Sequence, residues 1–453
     1  MKFEYDSNEN NFKNTALVVP PWEEMKDIKV SRNLKIINAL HKKYYTYRED
    51  ETSVVDFFSN DLISENHQLY EDAYRLIVSD YRWVMLCERR WINSATNYLV
   101  KIRELVIGCV NYIKKNDIKF IFNVTVPHRI ETWVLNKILE EIFSGTVFIF
   151  CYSQIPGFIS IYKGIDKYIQ LDLDERFTTE DLKENINSRQ YIELCKRNSS
   201  NKKDKSWLLD LNVLNKWKIH KARQIPQRII QKIYKKYIFN KYKKNSFKGD
   251  LIAKNNVVYF MHYQPEATTL PLGQFYIEQS NAINALRMAF PKEIKIYIKE
   301  HPTQFRQPID PRFRPVDYYD SISSIKNVEF IDPMSSSFNL IDQAKFVSTL
   351  NGKVSFQSLM RGKPTICFGL NIYDNHKGCH MYKDQKSLKS FINNYHEINF
   401  EEANNNFISS LSNKCISGFE YENGKLLKIS GSIYTKSRRV GILKMINSIF
   451  KIT

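Results

Sequence analysis

The chain has 453 residues, 43% of them apolar, which is enough for two or three domains with sizeable cores and excludes wholesale disorder. No run of about 18 uninterrupted apolar residues occurs, and residues 1–14 contain no apolar segment of signal-peptide type. We therefore expect neither a membrane-spanning helix nor a cleaved leader. The seven cysteines are scattered along the chain, which favours reduced thiols in the cytoplasm over a disulfide framework.

The positive charge is concentrated in one segment. The net charge is +18, and the stretch from Lys196 to Lys248 holds 17 Lys and Arg against two acids, Asp204 and Asp210. That stretch alone carries +15, and the rest of the chain carries +3. An anionic partner such as a membrane surface, a nucleic acid or a charged substrate would be bound by this segment rather than by the whole fold.

The first half of the chain predicts strands alternating with helices. Apolar runs bounded by polar residues predict strands, and apolar residues at helical spacing predict helices. In chain order we predict a strand at 14–20, helices at 33–45 and 67–79, a strand at 82–88, a helix at 91–115, a strand at 118–124, a helix at 130–143 and a strand at 146–152.

The second half repeats this alternation. We predict strands at 256–261, 294–300, 327–332, 345–350 and 364–369, with helices at about 274–290, 337–343 and 353–361. Such alternation is typical of parallel sheets covered by helices. We therefore expect an α/β protein of GT-B-like architecture, with two Rossmann-like domains facing a cleft. The expected parts are an acceptor-side domain at 1–195, a basic helical connector at 196–250, a nucleotide-sugar domain at 251–400 and a helical extension at 401–453.

The connector contains an amphipathic pattern. In residues 225–244, one predicted helical face carries the apolar residues Ile225, Ile229, Ile230, Ile233, Tyr234, Tyr237 and Ile238. The other side carries Arg228, Lys232, Lys235 and Lys236. Three interpretations remain open: a surface helix packed on its own domain, a helix lying on an anionic membrane, or a nucleic-acid-binding helix. No nucleic-acid-binding motif accompanies the charge, so we expect no nucleic-acid partner.

Three loops that follow predicted strands are unusually polar. Residues 262–273 begin with His262 and Gln264; residues 299–304 contain Lys299, His301 and Pro302; and residues 348–364 contain a turn and a helix start. Ligands of open α/β sheets bind beyond the carboxyl ends of the strands, where these loops lie.

The third loop is suited to a phosphate. A helix that begins near Lys353 presents free N–H groups and a partial positive charge to an anion. Gly352 allows close approach of the backbone, and Ser355 offers a hydroxyl. An ordinary strand-to-helix turn would look similar. His301 can donate to a phosphate from its ring, although a histidine at a strand end is more often a structural hydrogen-bonding group.

Together these three loops resemble the capsule polysaccharide biosynthesis family, bacterial glycosyltransferases related to the capsular Kdo transferases. The resemblance rests on HYQPEATTLPLG, on the EHP after the next strand and on TLNGKVSFQSLMRGKP. It covers roughly 250–375 well, extends weakly to CERR at 87–90 and VPHRIETW at 126–133, and leaves out the basic segment.

The resemblance implies a donor site for a cytidine monophosphate sugar. His301, Pro302 and the turn formed by Thr349, Asn351, Gly352, Lys353 and Ser355 would inherit nucleotide binding. Gln357 stands where the family often carries a ribose-gripping Glu. The retaining Kdo transferases place a nucleophilic Asp after the Gln of the first loop, where this chain has Ala267, Thr268 and Thr269. A double displacement through an Asp is therefore not expected.

Glycosyl transfer also needs a base for the acceptor hydroxyl and stabilisation of the leaving phosphate. Three residues are candidates for the base: Glu88, His128 and Glu266. Glu88 could equally pair with a neighbouring arginine. His301, Lys299 and the helix start at 353 would stabilise the leaving group without a metal. Asp172-Leu173-Asp174 lacks the strand context of a metal-binding Asp-x-Asp, and HKGCH at 376–380 matches no standard zinc spacing.

The expected function is transfer of a sugar, a CMP-activated acidic sugar such as Kdo or a sialic-acid-like sugar, to a glycan or glycolipid acceptor. Two alternatives remain: a transferase that uses a UDP- or GDP-sugar, and a non-catalytic module of a polysaccharide export or assembly complex. We expect no cofactor beyond the donor. We also expect a cytoplasmic location with peripheral contact at the inner face of the membrane.

Overall fold

The structure is a computed structural model of the whole chain. It describes residues 14–19, 34–38, 67–80, 82–84, 86, 98–123, 126–152, 158–171, 192–193, 195–196, 225–247, 255–264, 269–270, 272–305, 314–371, 373, 375–411 and 414–417. In residues 14–19, 34–38 and 225–232 only the backbone is described. The chain divides into two compact units, residues 1–191 with 409–453, and residues 192–408.

The first unit is an α/β unit with a mixed sheet. Its elements are β1 Asn14–Val19, β2 Leu34–Asn38, α1 His67–Val78, α2 Tyr98–Asn116, β3 Ile118–Asn123, α3 Ile130–Glu141, β4 Thr146–Tyr152, β5 Phe158–Lys163, β6 Ile169–Gln170 and β14 Cys415–Ser417. The sheet order is β14-β5-β4-β3-β1-β2, with β6 paired to β5. Strands β4, β3, β1 and β2 run parallel, whereas β5 pairs antiparallel with β4, β6 and β14.

Most of the elements expected in this unit are confirmed, but two expectations were wrong. The expected helix at 33–45 contains the strand β2, whose residues Leu34 to Asn38 pair in parallel with β1. Its Ile36-Ile37 pair is β-branched, which suits a strand better than a helix. The expected strand at 82–88 is helical at residues 82–84, because the Asp80 carboxylate accepts from the backbone N–H of Arg82 and starts a helical turn.

The second unit contains a parallel sheet of seven strands among its described residues. Its elements are α4 Ile225–Lys244, β7 Ser246–Phe247, β8 Asn256–Phe260, α5 Gln279–Ala289, β9 Lys295–Lys299, α6 Tyr318–Ser323, β10 Val328–Ile331, α7 Ser337–Gln343, β11 Phe346–Thr349, α8 Lys353–Met360, β12 Thr365–Cys367, β13 Cys379–Met381, α9 Gln385–Asn394 and α10 Phe400–Ser410. Short 3-10 helices occupy Gln274–Ile277, Pro302–Phe305 and Tyr395–Glu397. The five strands expected here are confirmed, each within about two residues at either end.

The strand order of this sheet places a topological switch point between β8 and β11. The order is β13-β12-β11-β8-β9-β10-β7, and all its pairings are parallel. The chain adds β9 and β10 on one side of β8 and then returns to add β11, β12 and β13 on the other side. A crevice forms where the two directions of winding diverge, at the carboxyl ends of β8 and β11. Ligands of open α/β sheets bind at such a position, so the loops after those two strands are the candidate site of the unit.

Two apolar cores cover the two faces of this sheet. One face packs against α4, α5, α6 and α9 through residues that include Tyr259, Ile296 and Ile298. The other face packs against α7 and α8 through residues that include Phe260 and Tyr297. Alternate residues of each strand therefore face opposite cores, as the period of two requires.

Helix α4, which we expected to connect two domains, packs into the core of the second unit. Ile238 and Tyr242 are fully buried there, and Tyr234 and Phe239 pack against the same cluster. The Tyr242 hydroxyl donates to the carbonyl of Ile331 at 2.6 Å, which fixes the helix to the end of β10. The helix is confirmed, and the interpretation as a surface helix on its own domain accounts for its buried side.

The predicted apolar stripe of α4 is buried only in part. Ile233 is 65% exposed and Tyr237 is 44% exposed. The buried side runs through Tyr234 and Ile238, which belong to the predicted stripe, and continues to Tyr242, at spacings of four residues. Isoleucine and tyrosine occur on two adjacent faces of this helix, so composition alone did not decide which face is buried.

The two isoleucines of α4 form a matched pair for a stability test. Ile238→Ala should destabilise the second unit by about 2–5 kcal/mol, because it removes a fully buried side chain and leaves a cavity. Ile233→Ala should change the stability by less than about 0.5 kcal/mol, because that side chain faces solvent. Hydrogen exchange measured peptide by peptide in urea would report on the second unit separately. Equal effects of the two substitutions would contradict the packing of α4 described here.

Candidate functional site

The loops after β8 and β11 meet directly across the switch point. The His262 Nε2 atom lies 3.1 Å from the Thr349 hydroxyl oxygen, and the backbone N–H of Asn351 donates to the same Nε2 at 3.3 Å. The Thr349 hydroxyl is also 2.9 Å from the Phe260 carbonyl oxygen. Because Nε2 accepts the backbone proton of Asn351, it is the unprotonated nitrogen of a neutral His262 ring. The sequence-predicted residues His262, Thr349 and Asn351 are thus brought together.

Gly352 is required here for close approach rather than for an unusual backbone angle. It has φ −76° and ψ 164°, which any residue can adopt. A Cβ atom at this position would lie 3.0 Å from His262 Nε2 and 3.2 Å from its Cε1. A larger residue would push the His262 ring out of position. Gly352 is also the N-cap of α8 and supplies no side-chain cap, so the helix start points its first N–H groups outward from the turn.

The residues of α8 differ in where they point. Lys353 is exposed and Gln357 is half-buried. Ser355 is fully buried, and its hydroxyl oxygen lies 3.3 Å from the Cys367 sulfur of β12. The expected phosphate contact of Ser355 therefore has no support in the geometry, since this hydroxyl faces the sheet. Its role is to fix α8 against the strand that follows it.

His301 lies at the end of β9 with its ring in a defined tautomer. It is exposed, and its Nδ1 atom accepts the backbone N–H of Thr303 at 3.2 Å. In the neutral ring the proton is therefore on Nε2, which makes Nε2 a hydrogen-bond donor. Pro302 begins the short 3-10 helix that holds Thr303 in place. A neutral histidine can donate to a phosphate oxygen only from its protonated ring nitrogen, which here is Nε2.

A buried ion pair that the sequence did not reveal supports both loops. Glu300 and Arg314 are fully buried, and the Arg314 Nε atom donates to Glu300 Oε2 at 2.7 Å. Burial alone would lower the pKa of Arg314, but the adjacent Glu300 carboxylate outweighs it and raises that pKa well above its usual value. The Tyr319 hydroxyl and the backbone N–H of His301 also donate to the Glu300 carboxylate. Both oxygens of this buried carboxylate are thereby satisfied.

Arg314 extends this pair to the loop after β8. Its Nη1 atom donates to the Gln264 side-chain oxygen at 2.7 Å, and its Nη2 atom is 3.3 Å from the His262 carbonyl. Gln279 closes the network: it accepts from the His262 backbone N–H and donates to the His262 carbonyl and the Gln264 side chain. Gln264 donates in turn to the Ile277 carbonyl. The Gln264 amide is buried and makes these hydrogen bonds within the protein. Its geometry therefore indicates that it supports the loop and does not contact a ligand.

Lys299, the last residue of β9, is 5% exposed. Burial lowers its pKa to about 8, although the carboxylates of Asp332 and Glu300 act in the opposite direction. Register places it between Phe260 of β8 and Ile331 of β10. It therefore lies at the same carboxyl edge as His262 and His301.

His128 follows β3 in the first unit and has the opposite tautomer to His301. Its Nδ1 atom lies 2.9 Å from the Val126 carbonyl oxygen, which can only accept. The proton of the neutral ring is therefore on Nδ1, and Nε2 carries the lone pair that a general base needs. Glu88 and Glu266, the other two candidates for the base, lie outside the described residues, as does Asp172-Leu173-Asp174.

The HKGCH segment is built as a structural turn. His376 is buried, its Nδ1 atom accepts the Gly378 backbone N–H at 2.9 Å, and its Nε2 atom is 2.9 Å from the Asn404 side-chain oxygen. His380 stacks on Phe391 at a centroid distance of 5.3 Å. In the described part of the chain, no cluster of three or more His, Cys, Asp or Glu is arranged to hold a metal ion. Within the same residues, no helix is long and apolar enough to cross a membrane.

The sequence comparison finds a family that resembles most of the second unit. Residues 188–400 match the family described as capsule polysaccharide biosynthesis protein. This confirms the resemblance that the three loops indicated. It also corrects its extent, because the match includes the basic segment that we had expected to lie outside. Among curated proteins, none matches the sequence.

Solved structures similar to this chain share little sequence with it. The beta Kdo 2,7 transferase of Thermosulfurimonas dismutans KpsC is 12% identical, with a TM-score of 0.29, over 68% of this chain and 85% of that chain. The beta Kdo 2,4 transferase of the same protein is 13% identical, with a TM-score of 0.27, over 60% and 78%. The UDP-GlcNAc 2-epimerase of Methanocaldococcus jannaschii is 13% identical, with a TM-score of 0.25, over 68% and 77%. The similarity to a family therefore rests on the match over residues 188–400.

The buried ion pair can be tested by a double-mutant cycle. Arg314→Met should destabilise the second unit by about 3–5 kcal/mol, because it leaves the Glu300 carboxylate buried without its guanidinium partner. Adding Glu300→Leu should recover part of that loss, because the unpaired charge is then gone. Hydrogen exchange in urea measures each variant. Lys295→Met removes a half-exposed salt bridge to Glu329 and should cost no more than about 1 kcal/mol. Strict additivity of the Glu300 and Arg314 substitutions would show that the two side chains are not coupled.

Proposed function

Because residues 188–400 match the capsule polysaccharide biosynthesis family, we propose that this chain is a glycosyltransferase that builds a capsular or lipopolysaccharide glycan. It transfers a sugar from a nucleotide donor to a glycan or glycolipid acceptor. The proposed donor is a CMP-activated acidic sugar, and the donor site is the carboxyl edge of the second sheet. One observation carries the proposal: His262 of one loop contacts Thr349 and Asn351 of the other across the topological switch point.

The donor site combines three groups that suit an anionic leaving group. The first is the start of α8, where the partial positive charge of the helix N-terminus at Gly352 suits a phosphate. The second is His301. Its Nδ1 atom accepts the backbone N–H of Thr303, so the proton of the neutral ring lies on Nε2, which can donate to a phosphate. The third is Lys299. Together they stabilise the charge that develops on the phosphate as the glycosidic bond breaks, and no metal is needed for this role.

The acceptor hydroxyl must lose a proton during transfer. His128 is the described residue best prepared for this step, since the Val126 carbonyl holds the proton on Nδ1 and leaves the lone pair on Nε2. Glu88 and Glu266 remain candidates from the sequence. In the proposed reaction the acceptor oxygen forms a bond to the anomeric carbon, the bond from that carbon to the phosphate oxygen breaks, and the base takes the hydroxyl proton.

Nucleotide binding tests the donor site. Among CMP, UDP and GDP, CMP should raise the melting temperature of the whole chain most, because a ligand that binds only the folded state stabilises it. His301→Ala should weaken CMP binding by about 1–3 kcal/mol in calorimetry, since a hydrogen bond to a charged phosphate is lost. His396→Ala, which removes an exposed histidine of the same unit, is the control and should bind as the unchanged protein does.

The outcomes separate the candidate functions. A preference for UDP or GDP would change the proposed donor nucleotide and would leave the proposed transferase activity unchanged. Binding of none of the three nucleotides would favour a non-catalytic module of an export or assembly complex. CMP affinity unchanged in a folded His301→Ala variant would remove His301 from the site.

Contact with an anionic membrane is the second part of the proposal. The exposed side of α4 carries Ile233 and Tyr237 next to Lys236, and Lys243 lies over the Phe239 ring. Apolar side chains flanked by lysines are suited to the interface of a bilayer with anionic lipids. A transferase that extends a lipid-linked glycan at the inner face of the membrane would benefit from such a contact.

Vesicle binding tests this contact. The whole chain should bind vesicles that contain anionic lipid and should detach at high salt, because the attraction between charges is screened. Changing Arg228, Lys232, Lys235 and Lys236 to Glu should abolish binding without abolishing nucleotide binding. The control variant Lys114→Glu with Lys115→Glu reverses two exposed lysines of α2 and should bind normally. Equal binding to neutral and anionic vesicles, or to neither, would refute the contact.

A further inference from the structure

Two cysteine side chains of the second unit are in contact on the face of the sheet that α8 covers. The Cys379 thiol of β13 donates to the Cys367 sulfur of β12, and the two sulfurs lie 3.7 Å apart. Both side chains are buried, and the Cys367 sulfur also lies 3.3 Å from the Ser355 hydroxyl of α8. The sulfurs of a disulfide lie about 2.05 Å apart, so a small movement would bring these two thiols within bonding distance.

Strand β13 is a short strand at the edge of its sheet. It has three residues and, in the part of the chain that the structure describes, it pairs with β12 alone. In the register Cys379 pairs with Thr365 and Cys367 with Met381, so the two cysteines are diagonal neighbours. A bond between them therefore requires β13 to shift along β12. A disulfide that needs such a shift is readily reduced again, which suits a reversible reaction.

The Ser355 side chain connects the pair to α8. Ser355 is fully buried in the first turn of that helix, and its hydroxyl is in hydrogen-bonding contact with the Cys367 sulfur. If the Cys367 sulfur moves toward Cys379, the hydroxyl loses this partner inside the protein. A buried hydroxyl without a partner is costly, so the first turn of α8 becomes less stable.

The main chain provides a second connection. The backbone N–H groups of Phe368 and Gly369, directly after Cys367, donate to the Leu350 carbonyl at 3.2 and 2.9 Å. Leu350 directly precedes the turn that leads to Gly352 and α8. A shift of Cys367 therefore acts on the start of α8 from the strand side as well.

We propose that Cys367 and Cys379 form a redox-sensitive pair, which a peroxide converts to a disulfide and a thiol reductant restores. The disulfide loosens the start of α8. The consequence for a ligand rests on the proposed donor site, which includes the start of this helix. The disulfide and its effect on the helix do not depend on that site.

The reaction consumes two thiols and one peroxide molecule. Cys379 is 8% exposed and Cys367 is 0% exposed, so the Cys379 sulfur attacks the peroxide first. An S–O bond forms, the O–O bond breaks, and the departing hydroxide takes the thiol proton and leaves as water. The Cys367 sulfur then attacks the sulfenic sulfur of Cys379, the S–S bond replaces the S–O bond, and a second water leaves. Two electrons pass from the sulfurs to the peroxide.

The surroundings of Cys367 prepare it for the second attack. Burial raises the pKa of its thiol, but the hydrogen bonds that it makes, chiefly with Cys379 and Ser355, outweigh burial and bring the pKa below its usual value. The thiolate is the form of cysteine that attacks another sulfur.

Peptide mapping of the whole chain tests the pair. After treatment with hydrogen peroxide and alkylation of the remaining thiols, mass spectrometry should find Cys367 joined to Cys379, and dithiothreitol should restore both thiols. Cys415 is the matched control. Its buried sulfur also lies near a serine hydroxyl, 3.2 Å from Ser160, but within the described residues no second thiol contacts it, so it should stay free. Absence of the disulfide between Cys367 and Cys379 would overturn the inference.

Hydrogen exchange measures the effect on α8. Amides of residues 353–360 should exchange about tenfold faster in the oxidised protein, because the helix start has lost buried hydrogen bonds, and reduction should reverse the change. Cys379→Ser, which keeps the size of the side chain, should show neither the disulfide nor the faster exchange. This control is needed because peroxide also oxidises methionine, and Met360 lies in α8. Diamide oxidises thiols and spares methionine, so it provides the same comparison without a substitution. Unchanged exchange after the disulfide has formed would refute the connection to α8.

CMP binding separates this inference from the proposed function. The affinity of the whole chain for CMP, measured by calorimetry, should fall about tenfold on oxidation and recover on reduction, and Cys379→Ser should bind CMP equally well with and without peroxide. A reduced protein that does not bind CMP would overturn the proposed donor, while the mapping and exchange results would still decide the redox pair. Equal CMP affinity before and after oxidation, with faster exchange in α8, would overturn the effect on the ligand.

Discussion

The buried pair of Glu300 and Arg314 determines how the second unit presents its ligand-facing loops. Two charges removed from water are tolerable only when their hydrogen-bonding capacity is filled. Here the Glu300 carboxylate accepts hydrogen bonds from Arg314, Tyr319 and the backbone N–H of His301. The Arg314 guanidinium also donates to Gln264 in the loop after β8. The need to satisfy one buried ion pair therefore fixes two loops relative to each other. Gln304 adds a second link between the loops after β8 and β9, because its side chain exchanges two hydrogen bonds with the Gln264 backbone.

Backbone hydrogen bonds set the chemistry of the histidines. A backbone N–H fixes the proton of His301 on Nε2, whereas a carbonyl fixes the proton of His128 on Nδ1. One ring is thereby prepared to donate to a phosphate and the other to accept a proton. The same side-chain type is thus suited to two opposite proposed roles, because the neighbouring main chain differs. These assignments depend on the local turn and not on the identity of nearby side chains.

The sequence predicted the strands of the second unit well, because each is a short apolar run followed by a polar loop. It also predicted that the polar loops after these strands lie at the carboxyl edge of the sheet, where the loops after β8 and β11 are in contact. It did not predict Arg314, which lies in a polar segment without periodicity, 14 positions after its partner. A glutamate directly after a buried strand does signal that a partner is needed. The pattern cannot say which of several arginines supplies it.

The errors at the sequence level have related physical causes. The side of α4 that is buried could not be read from composition, because isoleucine and tyrosine occupy two neighbouring faces, and only contact with the sheet selects one of them. Residues 82–84 became helical because Asp80 caps a turn, a local bond that outweighs a short apolar run. Ser355 looked like a phosphate ligand, but its hydroxyl packs on Cys367. In each case a tertiary or capping contact decided between two locally acceptable states.

The hydrogen bonds of the second unit also indicate which groups at the carboxyl edge would contribute to binding at the proposed donor site. Gln264, Gln279, Thr349 and Ser355 hold polar atoms at the carboxyl edge, and those atoms bond to other parts of the protein. Such groups shape a site but gain little from a ligand, because a new bond would replace an existing one. Other groups at this edge are positively polarised: the start of α8, the His301 ring and the Lys299 ammonium. These groups would favour a ligand with negative charge, as the proposed donor requires.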